Sequence, residues 1–239
     1  MSCPVVVVGH TGAALAVDSS AYTLTPTPTG HAVTPDPAGA QRKAVRAADR
    51  VAATAGVSSF AGVNFIDIVA HVIARTPVLD DIPDALLTAA APILVPAYTA
   101  WRASPAGAAS PDSAFLELIV LSADHDRPEA LTIHTSTTNG ALTLVGDVYW
   151  ARNNHAAVEA IGAHSSDLHA RTQRGRLTAT AAGGAPTRHA PLPDPGNSAA
   201  CAAAATAFLQ PVIDHPPTAP QGWPAGYPLV TGPVVTLAL

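Results

Sequence analysis

An α+β sandwich is the fold class this sequence predicts, and three observations predict it. Strand-like and helix-like runs come in blocks rather than in alternation, which points to segregated layers and not to a doubly wound sheet. The strand-like runs are short, rich in aliphatic and β-branched residues, and joined by glycine-containing turns. Of 239 residues, 48% are hydrophobic and only 12% charged, so the chain can build a full core and is not expected to be disordered. Aromatic residues are few, so that core must consist of small aliphatic side chains. We read residues 1–239 as one domain, with no internal sequence repeat.

The elements follow in order. Val5 to Val8 and Ala13 to Val17 read as two strands joined by a turn at His10-Thr11-Gly12. Residues 24–39 carry prolines at a density that predicts a loop or an irregular edge. Lys43 to Ala48 and Arg50 to Thr54 read as a hairpin that ends at Ala55-Gly56. Between Asn64 and Ala74, apolar residues recur at three- and four-residue spacing, which predicts an amphipathic helix. Asp67 and His71 fall on its polar side, where a solvated face is a better reading than a metal site. A second helix runs from Ala85, capped by Asp84, to near Trp101, with Pro92 and Pro96 expected to kink or break it.

Ala114 to Ala123 and Ala130 to Thr138 are the clearest strands. They flank a polar turn at Asp124-His125-Asp126-Arg127-Pro128, which resembles a metal-ligand set only superficially. Asn139-Gly140 signals a type I′ turn into a strand from Ala141 to Val145. Asn153 to Gly162 reads as a helix, and residues 163–196 as a long irregular insertion. Ser198 to Ile213 reads as an Ala-rich helix, and Leu229 to Leu239 as a closing strand.

Composition excludes several functions. The net charge is −5 and no basic stripe exists, so binding to nucleic acid has no electrostatic basis. The first residues lack a basic segment followed by a long apolar run, so no signal peptide is expected. The longest apolar stretch, Ala85 to Trp101, reads as a buried helix rather than a membrane span. The expected location is therefore cytoplasmic. Cys3 and Cys201, the only cysteines, make neither a disulfide framework nor a zinc pair and read as two buried thiols. No P-loop, GxGxxG, GxSxG or HExxH is present, and neither a metal nor a cofactor is expected.

One basic residue stands apart. Lys43 is the only lysine among the 12 Lys and Arg residues. An ammonium is a compact charge that burial can retune, whereas a guanidinium is a fixed, always protonated fork. A chain biased to arginine that keeps one lysine marks it as a candidate for chemistry, set against the plain reading of a surface charge in QRKAVRAADR.

SCPVVVVGHTGAALAVDSSA and KAVRAADRVAATAG together resemble the opening of a proteasome β-type subunit, a member of the N-terminal nucleophile (Ntn) hydrolases. That family starts with its nucleophile, runs a strand, turns at a glycine and returns on a strand ending Ala-x-Asp. Ser2 takes the nucleophile's place, Gly12 the turn's and Asp18 the acid's, with no gap. Lys43 fits the place of the family's invariant lysine if one residue is deleted before Gly56.

The resemblance implies a four-layer α-β-β-α sandwich. It also implies a peptide- or amide-cleaving hydrolase that acts on a peptide or protein, and a homo-oligomeric ring; the sequence does not give an unfoldase partner. In this scheme Met1 is removed and Ser2 is the nucleophile. Its α-amine, of pKa about 7.7–8, serves as base. Lys43 supplies the ammonium beside the hydroxyl, Asp18 orients that ammonium, and the Gly56 N–H is the oxyanion donor.

The chain departs from the family at Gly146-Asp147-Val148, where Gly-Ser-Gly is usual, and near Asp214, where Asp-x-x-Ser has no clean match. Pro4 comes early in the first strand, and Ala55 and Ser58 near the implied pocket suggest modest substrate side chains. The alternative is a non-catalytic structural ring subunit of the same fold. A Schiff-base enzyme using Lys43 with pyridoxal phosphate is a third class, and it lacks a phosphate-binding Gly-rich loop.

Overall fold

The computed structural model describes residues 3–19, 22–27, 30–35, 43–57, 59–60, 62–108, 110–123, 127–161, 176–177, 190–214 and 233–239. They form a mixed α+β structure built on two antiparallel sheets. Strands β1 (Val5–Val8) and β2 (Ala13–Asp18) pair through a tight turn in which Gly9 N donates to Gly12 O at 2.8 Å. Next come the hairpin β3 (Tyr22–Thr27) and β4 (Gly30–Pro35), then β5 (Ala44–Ala47) and β6 (Arg50–Gly56). The short pair β7 (Ser59–Phe60) and β8 (Val63–Asn64) leads into helix α1 (Phe65–Ile73). Helices α2 (Ile82–Arg102) and α3 (Pro105–Ala108) precede strands β9 (Leu116–Ser122), β10 (Glu129–Thr138) and β11 (Ala141–Tyr149). The remainder is β12 (Ala157–Ala160), the small pair β13 (Arg176–Leu177) and β14 (Ala190–Pro191), helix α4 (Ser198–Asp214) and β15 (Val234–Ala238).

The first sheet has the order β12-β1-β2-β15 and the second β11-β10-β9-β6-β5. The valine run of β1 is uninterrupted because it is buried on both faces. Val5 and Val7 pack with Cys201, Ala205, Leu209 and Val212 of α4. Val6 and Val8 face the other way and join Leu15 and Val17 of β2 against Val51, Ala53 and Ala55 of β6 and Ile119 and Leu121 of β9. The outer face of the second sheet packs on α1 and α2, with Leu118, Val120 and Ile133 meeting Ile66, Val69, Leu86 and Leu94. Each large aliphatic side chain buried in these clusters stabilises the fold by about 1.5–3 kcal/mol.

Asn64 caps α1 as its side chain accepts from Ile66 N at 3.2 Å. The buried face of α1 is the one its periodicity predicts, with Asp67 and His71 exposed and His71 bonded to Arg75 at 2.8 Å. Arg50 is buried beyond the end of α1. Its guanidinium donates to Ile73 O at 3.1 Å, to Pro77 O at 2.6 Å and to Thr76 O, so it satisfies one carbonyl that the helix end leaves open and two of the loop that follows. At the β1–β2 turn, Asp194 accepts from His10 N at 3.2 Å, the His10 ring at 2.8 Å and Gly196 N at 3.0 Å. Burial works against ionisation there, but the Gly196 and His10 donors outweigh it and hold the Asp194 carboxyl below its usual range. Gly12 must be glycine, because a Cβ would lie 2.3 Å from Ser198 N at the start of α4.

Four sequence expectations need correction. Residues 153–162 are not helical. Asn153 and Asn154 take positive φ in a turn, and Ala157–Ala160 pairs with β1 as an edge strand. Ala and Glu favour a helix locally, but the partnership with four buried valines overrides that preference. Pro92 and Pro96 lie inside a continuous α2, since both sit on its exposed face, where water can serve the carbonyls they free. That helix begins at Ile82, with Asp81 at its N-cap position and Asp84 in its first turn. Residues 24–39 include a regular hairpin, a two-stranded ribbon in which both strands are edges and so admit Pro26 and Pro35. The Asn139-Gly140 turn has positive φ at both residues, as a two-residue I′ hairpin requires, and β11 runs on to Tyr149. The irregular insertion at 163–196 and the acidic turn at 124–126 fall mostly or wholly outside the described residues.

Helix α2 is long and apolar enough to cross a membrane by length and composition. One stripe of it, Ile82, Leu86, Ala90, Leu94 and Ala97, is buried in the second sheet's cluster.

Asp112 ties α2 to β10. It accepts from Tyr98 Oη at 2.5 Å and from Thr137 Oγ1 at 2.8 Å, which holds its carboxyl below the usual range. A depressed folded-state value adds stability above about pH 4, the unfolded value, and that stability is lost as pH falls through the folded value. Asp112→Asn should therefore lower the unfolding midpoint at neutral pH and flatten its decline in acid. Equal wild-type and variant midpoints across pH 2–7, a range of about five units around that value, would contradict this.

Candidate functional site

The site lies where β1 begins and β2 ends. Residues 3–4 lead into β1, whose register with β2 sets the head of the chain beside Asp18. Cys3 N donates to Asp18 Oδ1 at 3.0 Å. Lys43 Nζ donates to Asp18 Oδ2 at 2.6 Å. The two carboxylate oxygens thus hold two different segments, one from each sheet. Asp18 is 1% exposed and Lys43 5%. On its other side β2 pairs with β15, Asp18 lying opposite Val234, and Ser19 Oγ donates to Pro233 O at 2.8 Å.

Lys43 is held by the hairpin that it opens. Its carbonyl accepts from Thr54 N at 2.9 Å, so the start of β5 is registered on β6 two residues before Gly56. Gly56 has φ +88°, and a Cβ on it would sit 2.3 Å from Phe115 O. Both facts demand glycine there whatever the site does. Val57 N donates to that same carbonyl at 2.7 Å.

The lone lysine is therefore no surface charge. It is buried on a carboxylate 25 residues earlier in the chain. Of the four residues singled out from the sequence, Asp18 and Lys43 are in direct contact and Gly56 follows on the strand paired to Lys43. Ser2 lies outside the described residues, as does Ser58. The peptide nitrogen that joins Ser2 to the rest of the chain is the one bound to Asp18. Gly146-Asp147-Val148 lies inside β11, with Asp147 opposite Thr132, and Asp214 ends α4, bonded to Gln210 at 2.8 Å.

Cys3 is fully buried. Burial pushes its thiol far up, and the negative charges of Asp18 and Glu117 push it the same way. A thiol held protonated is a poor nucleophile and a poor metal ligand. Cys201 is likewise a buried free thiol, donating to Gly12 O at 3.2 Å. Among the described residues no group of three or more His, Cys, Asp or Glu is arranged to hold a metal ion.

Sequence reasoning passed over one participant, the backbone N–H of Cys3, which has no side-chain signature. Compared with models of known protein families and with curated proteins, the chain matches none.

Asp18→Ala takes the carboxylate from beside a buried ammonium and from the head of β1. It should destabilise the fold by about 3–5 kcal/mol in denaturant unfolding, whereas the double change Asp18→Leu, Lys43→Met should recover most of that loss. A cost of under about 1 kcal/mol for Asp18→Ala would mean the pair behaves as an exposed one.

Proposed function

We propose that this chain is a proteasome-like Ntn hydrolase that cleaves peptide or amide bonds with Ser2 as nucleophile after Met1 is removed. The observation that carries the reading is the Asp18 carboxylate, shared between the Lys43 ammonium and the N–H that follows Ser2. Three apolar clusters, two between helices and sheets and one between the sheets, support the four-layer α-β-β-α sandwich that the reading requires.

The chemistry follows from these groups. The Ser2 hydroxyl attacks the substrate carbonyl carbon, and its proton passes to the α-amine, directly or through a water. The Lys43 ammonium favours the negative charge that grows on the attacking oxygen. Asp18 keeps that ammonium aimed, since a carboxylate bonded at 2.6 Å restricts the long lysine side chain. The substrate oxygen becomes an oxyanion and accepts from the Gly56 N–H. Collapse expels the amine with the transferred proton and leaves an ester on Ser2, which water then hydrolyses. We further propose a homo-oligomeric ring and a cytoplasmic location for this enzyme.

A non-catalytic structural subunit of the same fold is the second reading. It is favoured by the near-complete burial of the Asp18–Lys43 pair, which suits a fastener between sheets.

Intact mass and a fluorogenic peptide panel separate the two. The hydrolase reading expects loss of Met1 and a drop in kcat/KM of about a hundredfold or more for both Ser2→Ala and Lys43→Arg. Retained Met1 with no hydrolysis leaves the structural subunit. Unchanged hydrolysis in either variant overturns the mechanism.

A further inference from the structure

We infer that β11 is an interaction edge on which a second copy of this chain pairs antiparallel, about a two-fold axis at Val145. The inference goes beyond the hydrolase reading and does not rest on it.

β11 ends the five-stranded sheet, and among the described residues no strand pairs along its other side. An open edge is a row of unpaired N–H and C=O groups, which folded chains blunt with short strands, lysine, proline or bulges. The other edges of the two sheets are blunted by length, since β12 and β5 run four residues each and β15 five. β11 runs nine, ALTLVGDVY, with no proline and no basic residue. Its register on β10 is unbroken from Ala141 to Tyr149. Ala141, Val145 and Asp147 share one face and are exposed, so the first sheet leaves most of that face open. Val145, 42% exposed, is one of the few large apolar side chains left in solvent among the described residues.

The hairpin fixes which backbone groups point outward. The two-residue Asn139-Gly140 loop makes Thr138 and Ala141 a pair that exchanges both backbone bonds. Alternation then turns the N–H and C=O of Thr143, Val145, Asp147 and Tyr149 toward β10, and Asp147 O accepts there from Thr132 Oγ1 at 3.5 Å. The N–H and C=O of Leu142, Leu144, Gly146 and Val148 point to the open edge. A two-fold axis at Val145 sets Leu144 opposite Gly146 of the second copy, and Leu142 opposite Val148 of the second copy. Those are the pairs whose outward groups meet, so each outward N–H and C=O finds a partner.

The side chains suit the same register. Val145 meets Val145 of the second copy in a pair without backbone bonds, where side chains come closest, and the two valines cover one another. Asp147 is the strand's only charge, and it lies opposite Thr143 of the second copy rather than another carboxylate. The Thr143 hydroxyl has no hydrogen-bond partner among the described residues, and a turn about Cα–Cβ lets it donate to that carboxylate. Such a contact uses the same patch on both copies, so it joins copies in twos and adds to any ring rather than closing one.

Sedimentation velocity of the full chain tests this. The wild type should show the mass of two chains or an even multiple. Val145→Lys sets two ammonium groups face to face at the axis, and Val145→Glu two carboxylates. Each should weaken the association about tenfold or more and so halve the mass at a fixed low concentration. An equimolar mixture of the two variants should restore the wild-type mass, because the axis then pairs Lys with Glu. Oxidation of Val145→Cys should give a covalent dimer, since Cys3 and Cys201 are buried and do not compete. A monomeric wild type, an odd-numbered assembly, an unchanged mass in either charged variant, or a mixture that stays dissociated overturns the inference. Should circular dichroism show that a charged variant has lost its fold, the cross-link decides: a covalent dimer upholds the pairing and its absence overturns it. Peptide cleavage is read separately, so either result leaves the hydrolase reading to its own test.

Discussion

One buried carboxylate sets the terms for the rest of this molecule. Asp18 ends the strand next to the chain's head and divides its two oxygens between that head and a lysine from the opposite sheet. Burying an ion pair costs more desolvation than its attraction returns unless further hydrogen bonds are made. The Cys3 N–H supplies one of them. The pair is thus a weak source of stability and a strong source of registration. It fixes where β1 starts, where the β5–β6 hairpin starts, and how the two sheets meet at that end.

The other polar anchors do similar work at the margins. Arg50 closes the end of α1 against β6, Asp112 ties α2 and β10 together, and Asp194 holds the β1–β2 turn against the approach to α4. Between them lie clusters of apolar side chains with no directional bonds. The aliphatic clusters supply the driving force for folding and the four polar nodes supply the alignment. The candidate site uses the node where a chain segment, a strand end and a hairpin head all come together.

Much of this was legible in the sequence for physical reasons. The uninterrupted valines of β1, the I′ turn at Asn139-Gly140 and the apolar face of α1 are local signals, and each element formed where its signal lay. The lone lysine was legible as unusual by its residue type alone, and its place in the resemblance was read relative to Gly56 with one residue deleted. What escaped was non-local. Ala157–Ala160 is a strand only because β1 offers it an edge, and no window of AVEA reveals that. Pro92 and Pro96 remain helical because both point outward, a matter of which face α2 buries.

The layer between the two sheets is lined largely by alanine and valine: Ala13, Val17, Ala53, Ala55 and Ala130 among them. Interiors are close-packed, so side chains this small bring the two sheets near to one another. A lysine stem can then span from one sheet to a carboxylate on the other. A bulkier residue at Ala53 or Ala55 would act as a wedge. It would lengthen the bridge, and the reach of four methylenes would no longer suffice. The plainest residues in the chain therefore set the tolerance to which its buried ion pair is held.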